Sequence, residues 1–168
     1  MSDYTLRSLN PSSEREMDTI VTFSMMTLWE SRPELRTDPA KFPDFGFDVT
    51  ARTYRAGIRN SNQRYLIALD SDANIVGHSI IALRTGSDNQ RYGYFWSRYV
   101  LPAHRRQGLA RRFMDEAMRW FEEQGASRAE VHVHHNNKAL RSLFEKSGFK
   151  VTDRRTEIWE YVVLSKTL

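Results

Sequence analysis

The sequence predicts a mixed α/β fold of the α+β kind, with one mostly antiparallel central sheet of about seven strands flanked by about four helices. Three observations point there. Residues 14–31 and 48–60 carry helical spacing early in the chain, and residues 65–101 hold three extended stretches joined by short polar turns, the pattern of an antiparallel meander. Strand, helix and strand then follow one another over residues 92–134, a crossover that makes those two strands parallel neighbours. At 168 residues and 19.7 kDa the chain fits a single domain over residues 1–168. A domain of that size buries roughly two-thirds of its unfolded surface.

Residues 4–9 alternate apolar and polar side chains and open the chain as a strand. Pro11-Ser12-Ser13 then offers a helix start, with Glu14 and Glu16 in the first turn and Met17, Ile20, Val21, Ser24, Met25 and Leu28 recurring at helical spacing as far as Ser31. Residues 32–48, rich in Pro, Asp and aromatic residues, read as a surface loop. Asp48 caps a second helix through about Asn60, and strands follow at 65–69, 75–83 and 92–101. Leu109, Phe113, Ala117, Trp120 and Phe121 lie on one face of a helix that stops at Gln124-Gly125. Residues 128–134 form the next strand and 136–146 a helix with Ala139, Leu140, Leu143 and Phe144 inward; a strand pair at 149–152 and 157–164 closes the order.

The chain has no cysteine, which excludes disulfide scaffolds, thiolate metal sites and cysteine nucleophiles. No apolar run approaches the ~20 residues of a membrane span, and Met1-Ser2-Asp3-Tyr4 has neither a basic n-region nor an apolar h-region. The expectation is a cytoplasmic protein without a membrane partner. A net charge of +4 favours anionic ligands, yet 25 basic against 21 acidic residues is a mild excess that does not indicate nucleic acid. An exposed last strand would offer a homodimer contact.

Chemistry concentrates at Arg105-Arg106-Gln107-Gly108-Leu109-Ala110, between the extended aromatic stretch and the helix from Leu109. A strand that feeds a basic, glycine-containing turn and then a helix brings backbone N–H groups, a positive helix end and fixed cations to one point. Gly108 lets the backbone approach a ligand without a Cβ in the way, and Ala110 keeps the first helical turn slim. Each exposed charge–dipole contact contributes only ~0.3–1 kcal/mol, so several must converge, as they do on a pyrophosphate.

These residues resemble the acyl-CoA site of the GNAT superfamily, the Gcn5-related N-acetyltransferases. The family signature Gln/Arg-x-x-Gly-x-Gly/Ala is matched by Arg105, Gly108 and Ala110. About thirty residues on, Asn136, Ala139, Phe144, Glu145, Lys146, Gly148 and Phe149 match the family's Asn-x-x-Ala-x-x-x-Tyr-Glu-Lys-x-Gly-Phe helix, except at Phe144. The resemblance implies a GNAT-like sheet with a splayed parallel strand pair, the strands ending at Leu101 and His134, forming a cleft for acetyl-CoA. It implies that backbone groups around Tyr99, Val100 and Leu101 bond the pantetheine arm and that the N–H groups of Arg105, Arg106, Gln107, Gly108, Leu109 and Ala110 hold the pyrophosphate. Asn136, Ala139 and Phe144 would line the same ligand, and Arg106 or Arg141 would meet the adenosine phosphate. The implied reaction is transfer of an acetyl group from acetyl-CoA to a primary amine by direct attack in a ternary complex, with a backbone N–H near Val100 polarising the thioester carbonyl. A protein N-terminus, a lysine side chain or an aminoglycoside is the alternative acceptor, and a CoA-binding module without turnover is the alternative class.

Two positions depart from the family pattern. Phe144 stands where the family commonly has a tyrosine that protonates the departing thiolate, and Trp96, twelve residues before Gly108, stands where some members carry a glutamate base. Tyr94, Tyr99 and Ser97 are the substitute proton relays on the strand, and Trp96 is a wall of the acceptor pocket. His134 would assist a water in deprotonating the amine. His132-Val133-His134-His135 also invites a metal reading, but alternate strand positions offer no third ligand beyond Glu130, so no metal is assigned. Trp29, Glu30 and the aromatic and acidic residues of the 32–48 loop would receive a cationic acceptor.

Overall fold

The structure is a computed structural model that describes residues 3–168; the reading of Met1 and Ser2 as part of a leaderless start lies outside the described residues. Among these residues seven strands are present: β1 (Thr5–Ser8), β2 (Gln63–Leu69), β3 (Ile75–Thr85), β4 (Arg91–Val100), β5 (Arg128–His134), β6 (Lys150–Thr156) and β7 (Glu160–Thr167). They are hydrogen-bonded in the order β1-β2-β3-β4-β5-β7-β6, with β4 and β5 parallel. The helices are α1 (Glu14–Ser31), α2 (Glu34–Thr37), α3 (Phe47–Gly57), α4 (Leu109–Glu123) and α5 (Lys138–Lys146). The mixed α/β class and the parallel pair agree with the sequence reading. α2 is the helix that reading lacked. It is one turn inside the expected loop, followed by single turns at Pro39–Lys41 and Pro43–Phe45, and a four-residue helix is too short to show a period.

The chain forms two compact units. The first runs to Ile80 and resumes over Ser97–Asp115. In it β1 pairs antiparallel with β2 from Thr5↔Leu69 to Ser8↔Leu66. Tyr4, Leu66, Ala68, Val76, Leu109 and Phe113 form a buried cluster with Val100 and Leu101 packed against it. α1 exists because Met17, Ile20, Val21, Phe23, Ser24 and Met25 put one face into the interior and because its start is closed by side chains. Ser13 Oγ accepts the Glu16 N–H at 3.2 Å, while the Glu16 carboxylate accepts the Asn10 N–H at 2.8 Å and pairs with Arg7 at 2.7 Å.

The second unit comprises Ile81–Trp96 and Glu116–Leu168. Its parallel pair runs from Tyr92↔Arg128 to Phe95↔Val131. Phe95 meets Phe121, Phe144 and Phe149 edge-on, with ring centroids 5.3, 5.1 and 6.0 Å apart, and a Cβ at Gly93 would collide with the Phe121 ring. β7 corrects one expectation. The last strand lies between β5 and β6 and pairs with both, so it is not an exposed edge for a homodimer contact. The edge next to it is β6, whose Asp153, Arg154 and Arg155 are exposed and charged, a composition that discourages strand addition.

Candidate functional site

The turn after β4 is built from the first unit alone. Val100 ends the strand, the Leu101 N–H bonds the Val76 carbonyl at 2.9 Å, and a single 3-10 turn at Pro102–His104 leads to Arg105. Arg106 has φ 62° and Gly108 φ 83°, with Gln107 between them outside the positive-φ region. Alternating signs of φ turn successive N–H groups to one side and make a concave anion receptor. The Gly108 carbonyl receives the Arg112 N–H at 3.0 Å, so α4 begins there, and its first-turn N–H groups have no partner within the helix. No acidic residue stands in that first turn, and no atom lies within 4 Å of where a Gly108 Cβ would be. The cradle is therefore open and basic, with no carboxylate in the first turn of α4.

Neighbouring side chains hold the turn in place. The Tyr4 hydroxyl donates to Gln107 Oε1 at 2.7 Å and lies 3.0 Å from His104 Nδ1, while Arg112 Nη1 donates to the Tyr4 carbonyl at 3.0 Å. Leu109 is buried and Ala110 half-buried, so these two offer backbone rather than side chain. Arg106 is exposed, and Arg105 is engaged. Its Nε donates to the Val100 carbonyl and its Nη2 to Glu30 Oε1, both at 2.8 Å, with the guanidinium 5.2 Å from the Tyr99 ring centre. The Tyr99 hydroxyl donates to the same Glu30 oxygen at 3.1 Å. Burial, and next the hydrogen bond to the Glu30 carboxylate, push the Tyr99 phenol above its usual range, so it keeps its proton. Trp29, one residue earlier on α1, lies under the Arg36 guanidinium at 5.6 Å.

Beneath this surface lies a polar cluster that sequence reasoning missed. His78 Nε2 is 3.0 Å from Ser97 Oγ and 3.2 Å from Ser24 Oγ, the two serine oxygens are 3.0 Å apart, and Tyr54 donates to Ser24 at 2.7 Å. His78 is fully buried, and that burial, with Arg98 adding to it, drives its pKa down to about 3. The ring is neutral. Its Nδ1 has no partner among the described residues, which favours the tautomer with the proton on Nε2, donating to a serine. Ser97, expected as a proton relay, is the half-buried member of a brace among β3, β4, α1 and α3. The available signals were a histidine inside the apolar run of β3 and a serine at an inward position of α1.

The remaining candidates belong to the second unit. His134 is 8% exposed, and its Nδ1 accepts the Asn136 N–H at 3.3 Å, so the neutral ring carries its proton on Nε2 and has no bare nitrogen to take one from a water. The expected role in amine deprotonation would need that bond to Nδ1 to open. Asn136 and Ala139 are exposed, and the α5 cap is Asn137, whose Oδ1 accepts the Leu140 N–H at 3.1 Å. Phe144 is 0% exposed within the aromatic cluster, so in this packing it fills the core and presents no surface to a ligand. Tyr94 is buried, with its ring edge-on to His132 at 5.0 Å and the Arg84 guanidinium 3.6 Å from its centre. Trp96 is half-buried. His132 bonds Glu130 at 2.9 Å and stacks on Tyr161 at 5.2 Å, and among the described residues no three metal-binding side chains converge.

Comparison with known proteins adds to this geometry. The profile of the acetyltransferase (GNAT) family matches residues 25–149, a span that draws on both units. The catalytic subunit NAA10 of the N-terminal acetyltransferase A complex of Arabidopsis thaliana is 32% identical over 93 residues, 54% of this chain. The matches span 23% and 48% of the lengths of two curated relatives, so the chain answers to less than half of each. The PaiA N-acetyltransferase of Thermoplasma acidophilum, solved with coenzyme A, superposes with a TM-score of 0.74 at 16% identity over 99% of each chain. The Vibrio cholerae spermidine N-acetyltransferase, solved with CoA and spermine, gives 0.70 at 18% identity over 98% of this chain and 95% of that one. At such identities these two structures speak for the fold. Among the described residues no helix is long and apolar enough to cross a membrane.

Proposed function

We propose that this chain, which belongs to the acetyltransferase (GNAT) family, moves an acetyl group from acetyl-CoA to a primary amine of a small cationic molecule. The observation that carries the donor half is the turn over residues 105–110. Its alternating φ signs, the empty space over Gly108 and an α4 start without a carboxylate fit a pyrophosphate bound by backbone N–H groups, with Arg105 and Arg106 supplying charge. Backbone groups at Val100 and Leu101 are the candidates for the pantetheine arm, although the Leu101 N–H already serves Val76, which leaves Val100 as the candidate for the thioester carbonyl. On the acceptor side, Glu30 and Trp29 at the end of α1 offer a carboxylate and a ring to an ammonium group.

The transfer forms a bond from the amine nitrogen to the acyl carbon and breaks the carbon–sulfur bond. Sulfur leaves as thiolate, and one proton passes from nitrogen to sulfur by way of solvent or a hydroxyl. No covalent adduct of the protein is required, since holding amine and thioester together supplies much of the acceleration. Tyr99, which keeps its proton, is the hydroxyl we assign to the thiolate, the role for which Phe144 has no group to offer. His78, Ser24, Ser97 and Tyr54 support the strand that carries Tyr99.

A free-thiol release assay with acetyl-CoA tests the proposal across polyamines, aminoglycosides and peptides with free N-termini. Turnover with a polyamine is the expected result. Turnover confined to peptide N-termini would favour the second reading, an N-terminal acetyltransferase, which the 32% identity to NAA10 motivates. Binding of CoA with no turnover on any amine would favour a module that binds without catalysis.

A further inference from the structure

Arg105 and Glu30 belong to both candidate sites at once, and this inference rests on the donor-turn and acceptor readings above. Arg105 is the first residue of the donor turn, and Glu30 is the carboxylate at the end of α1 on the acceptor side. The two are paired at 2.8 Å, with the Arg105 side chain 41% and the Glu30 side chain 51% exposed. The oxygen that takes the guanidinium also takes the Tyr99 hydroxyl at 3.1 Å. The Arg105 Nε–H is turned to the Val100 carbonyl. A pair this open to water is weak and easily exchanged for other partners.

We propose that the Arg105–Glu30 pair is a two-position contact that couples the sites, with Glu30 selecting a cationic acceptor and donor binding making it available. A pyrophosphate on the turn recruits the Arg105 charge and repels the Glu30 carboxylate, which is left beside a strong anion without its cation. An acceptor ammonium at Glu30 restores that balance. In the other direction, an ammonium that takes Glu30 releases the Arg105 guanidinium for the phosphates. Each ligand thus separates the pair that the other must also separate, and linkage requires the help to be mutual and equal. The same arrangement discriminates among acceptors. A neutral amine gains nothing from Glu30, and an anionic one is repelled until Arg105 returns. The donor-bound state is the one that favours cations, because there Glu30 lacks its cationic partner. An ammonium that takes the shared Glu30 oxygen competes with the Tyr99 hydroxyl as well, which frees that hydroxyl to turn toward the reacting sulfur.

Titration calorimetry with CoA and spermidine as probes tests this, each measured alone and with the other saturating. In the parent protein each probe should tighten the other by about three- to five-fold, the size set by one partly exposed pair. In Glu30→Gln the coupling should vanish and spermidine should bind about ten-fold more weakly, while CoA alone should bind about two-fold more tightly because Arg105 has lost its competitor. Glu30→Asp, which keeps the charge, should recover part of the coupling. Opposite signs for the two ligands are what a purely structural role for Glu30 does not produce. Coupling that survives in Glu30→Gln, CoA binding that weakens there, or a parent that does not bind spermidine overturns the inference. If Gly108→Asp leaves CoA binding intact, the donor-turn reading itself fails. If Gly108→Asp abolishes CoA binding and the parent shows no coupling, only the inference fails.

Discussion

Two helix starts in the first unit, those of α1 and α4, solve the same problem in opposite ways. Both leave N–H groups without partners inside the helix. At α1 the need is met internally: Ser13 accepts from Glu16, and the Glu16 carboxylate accepts from Asn10 and pairs with Arg7. At α4 the first turn has no acidic residue, Gly108 has no side chain, and both arginines before it are basic. The α1 start is closed and serves stability. The α4 start is held from outside, by Tyr4 on Gln107 and Arg112 on the Tyr4 carbonyl, and stays open. A helix start with no carboxylate in its first turn, while its surroundings are braced, is suited to an anion.

The difference can be broken most strongly by giving α4 the carboxylate that α1 has. Gly108→Asp should weaken CoA binding on the order of 100-fold by calorimetry, through charge and the loss of open space. Its strain at φ 83° costs about 1–2 kcal/mol of stability, so a folded but non-binding protein is the expected result, and undiminished CoA affinity would show that the two ends do not differ in function. The converse change is Ser13→Ala, which should cost about 1 kcal/mol in chemical denaturation with CoA affinity unchanged. Removing the external brace with Tyr4→Phe should loosen CoA several-fold, roughly 1 kcal/mol, through the lost hydrogen bond to Gln107. Equal affinity in that variant would mean that the turn holds its shape unaided.

The smallest effect lies in pH. Hydrogen bonding to Arg7 holds the Glu16 carboxyl below its usual range, so its contribution is present above the unfolded pKa and is lost as pH falls through the lower folded value. The stability of the parent should also decline below pH 6.5, because burial holds His78 neutral down to about 3 when folded and it takes up a proton on unfolding. The comparison is therefore between parent and Glu16→Gln, whose melting temperatures should converge below pH 4. A constant gap from pH 7 to pH 3 would remove Glu16 from the account of the α1 start.

Much of the fold was legible because its signals are local. Periodicity found α1, α4 and α5, alternation and polar turns found the meander, and the crossover rule found the parallel β4–β5 pair. Within the site, the turn over residues 105–110 could be read because glycine, arginine and the helix start are contiguous. What failed were long-range relations. The placement of β7 between β5 and β6, the brace of His78 with Ser24, Ser97 and Tyr54, and the pairing of Arg105 with Glu30 across 75 positions leave no periodic trace.

By itself, then, the sequence pointed to the turn proposed to meet an anion, since a basic, glycine-containing turn and the helix start after it need only a few consecutive residues to specify them. Tertiary structure alone decided which titratable groups are neutral, paired or buried. His78 loses its charge because several elements together exclude water from it, His134 Nδ1 is met by a backbone N–H two residues on, and Glu30 acquires a partner because the end of α1 lies beside the donor turn. Burial and partnership are properties of packed surfaces, and a sequence names the side chains without saying which of them will share a surface.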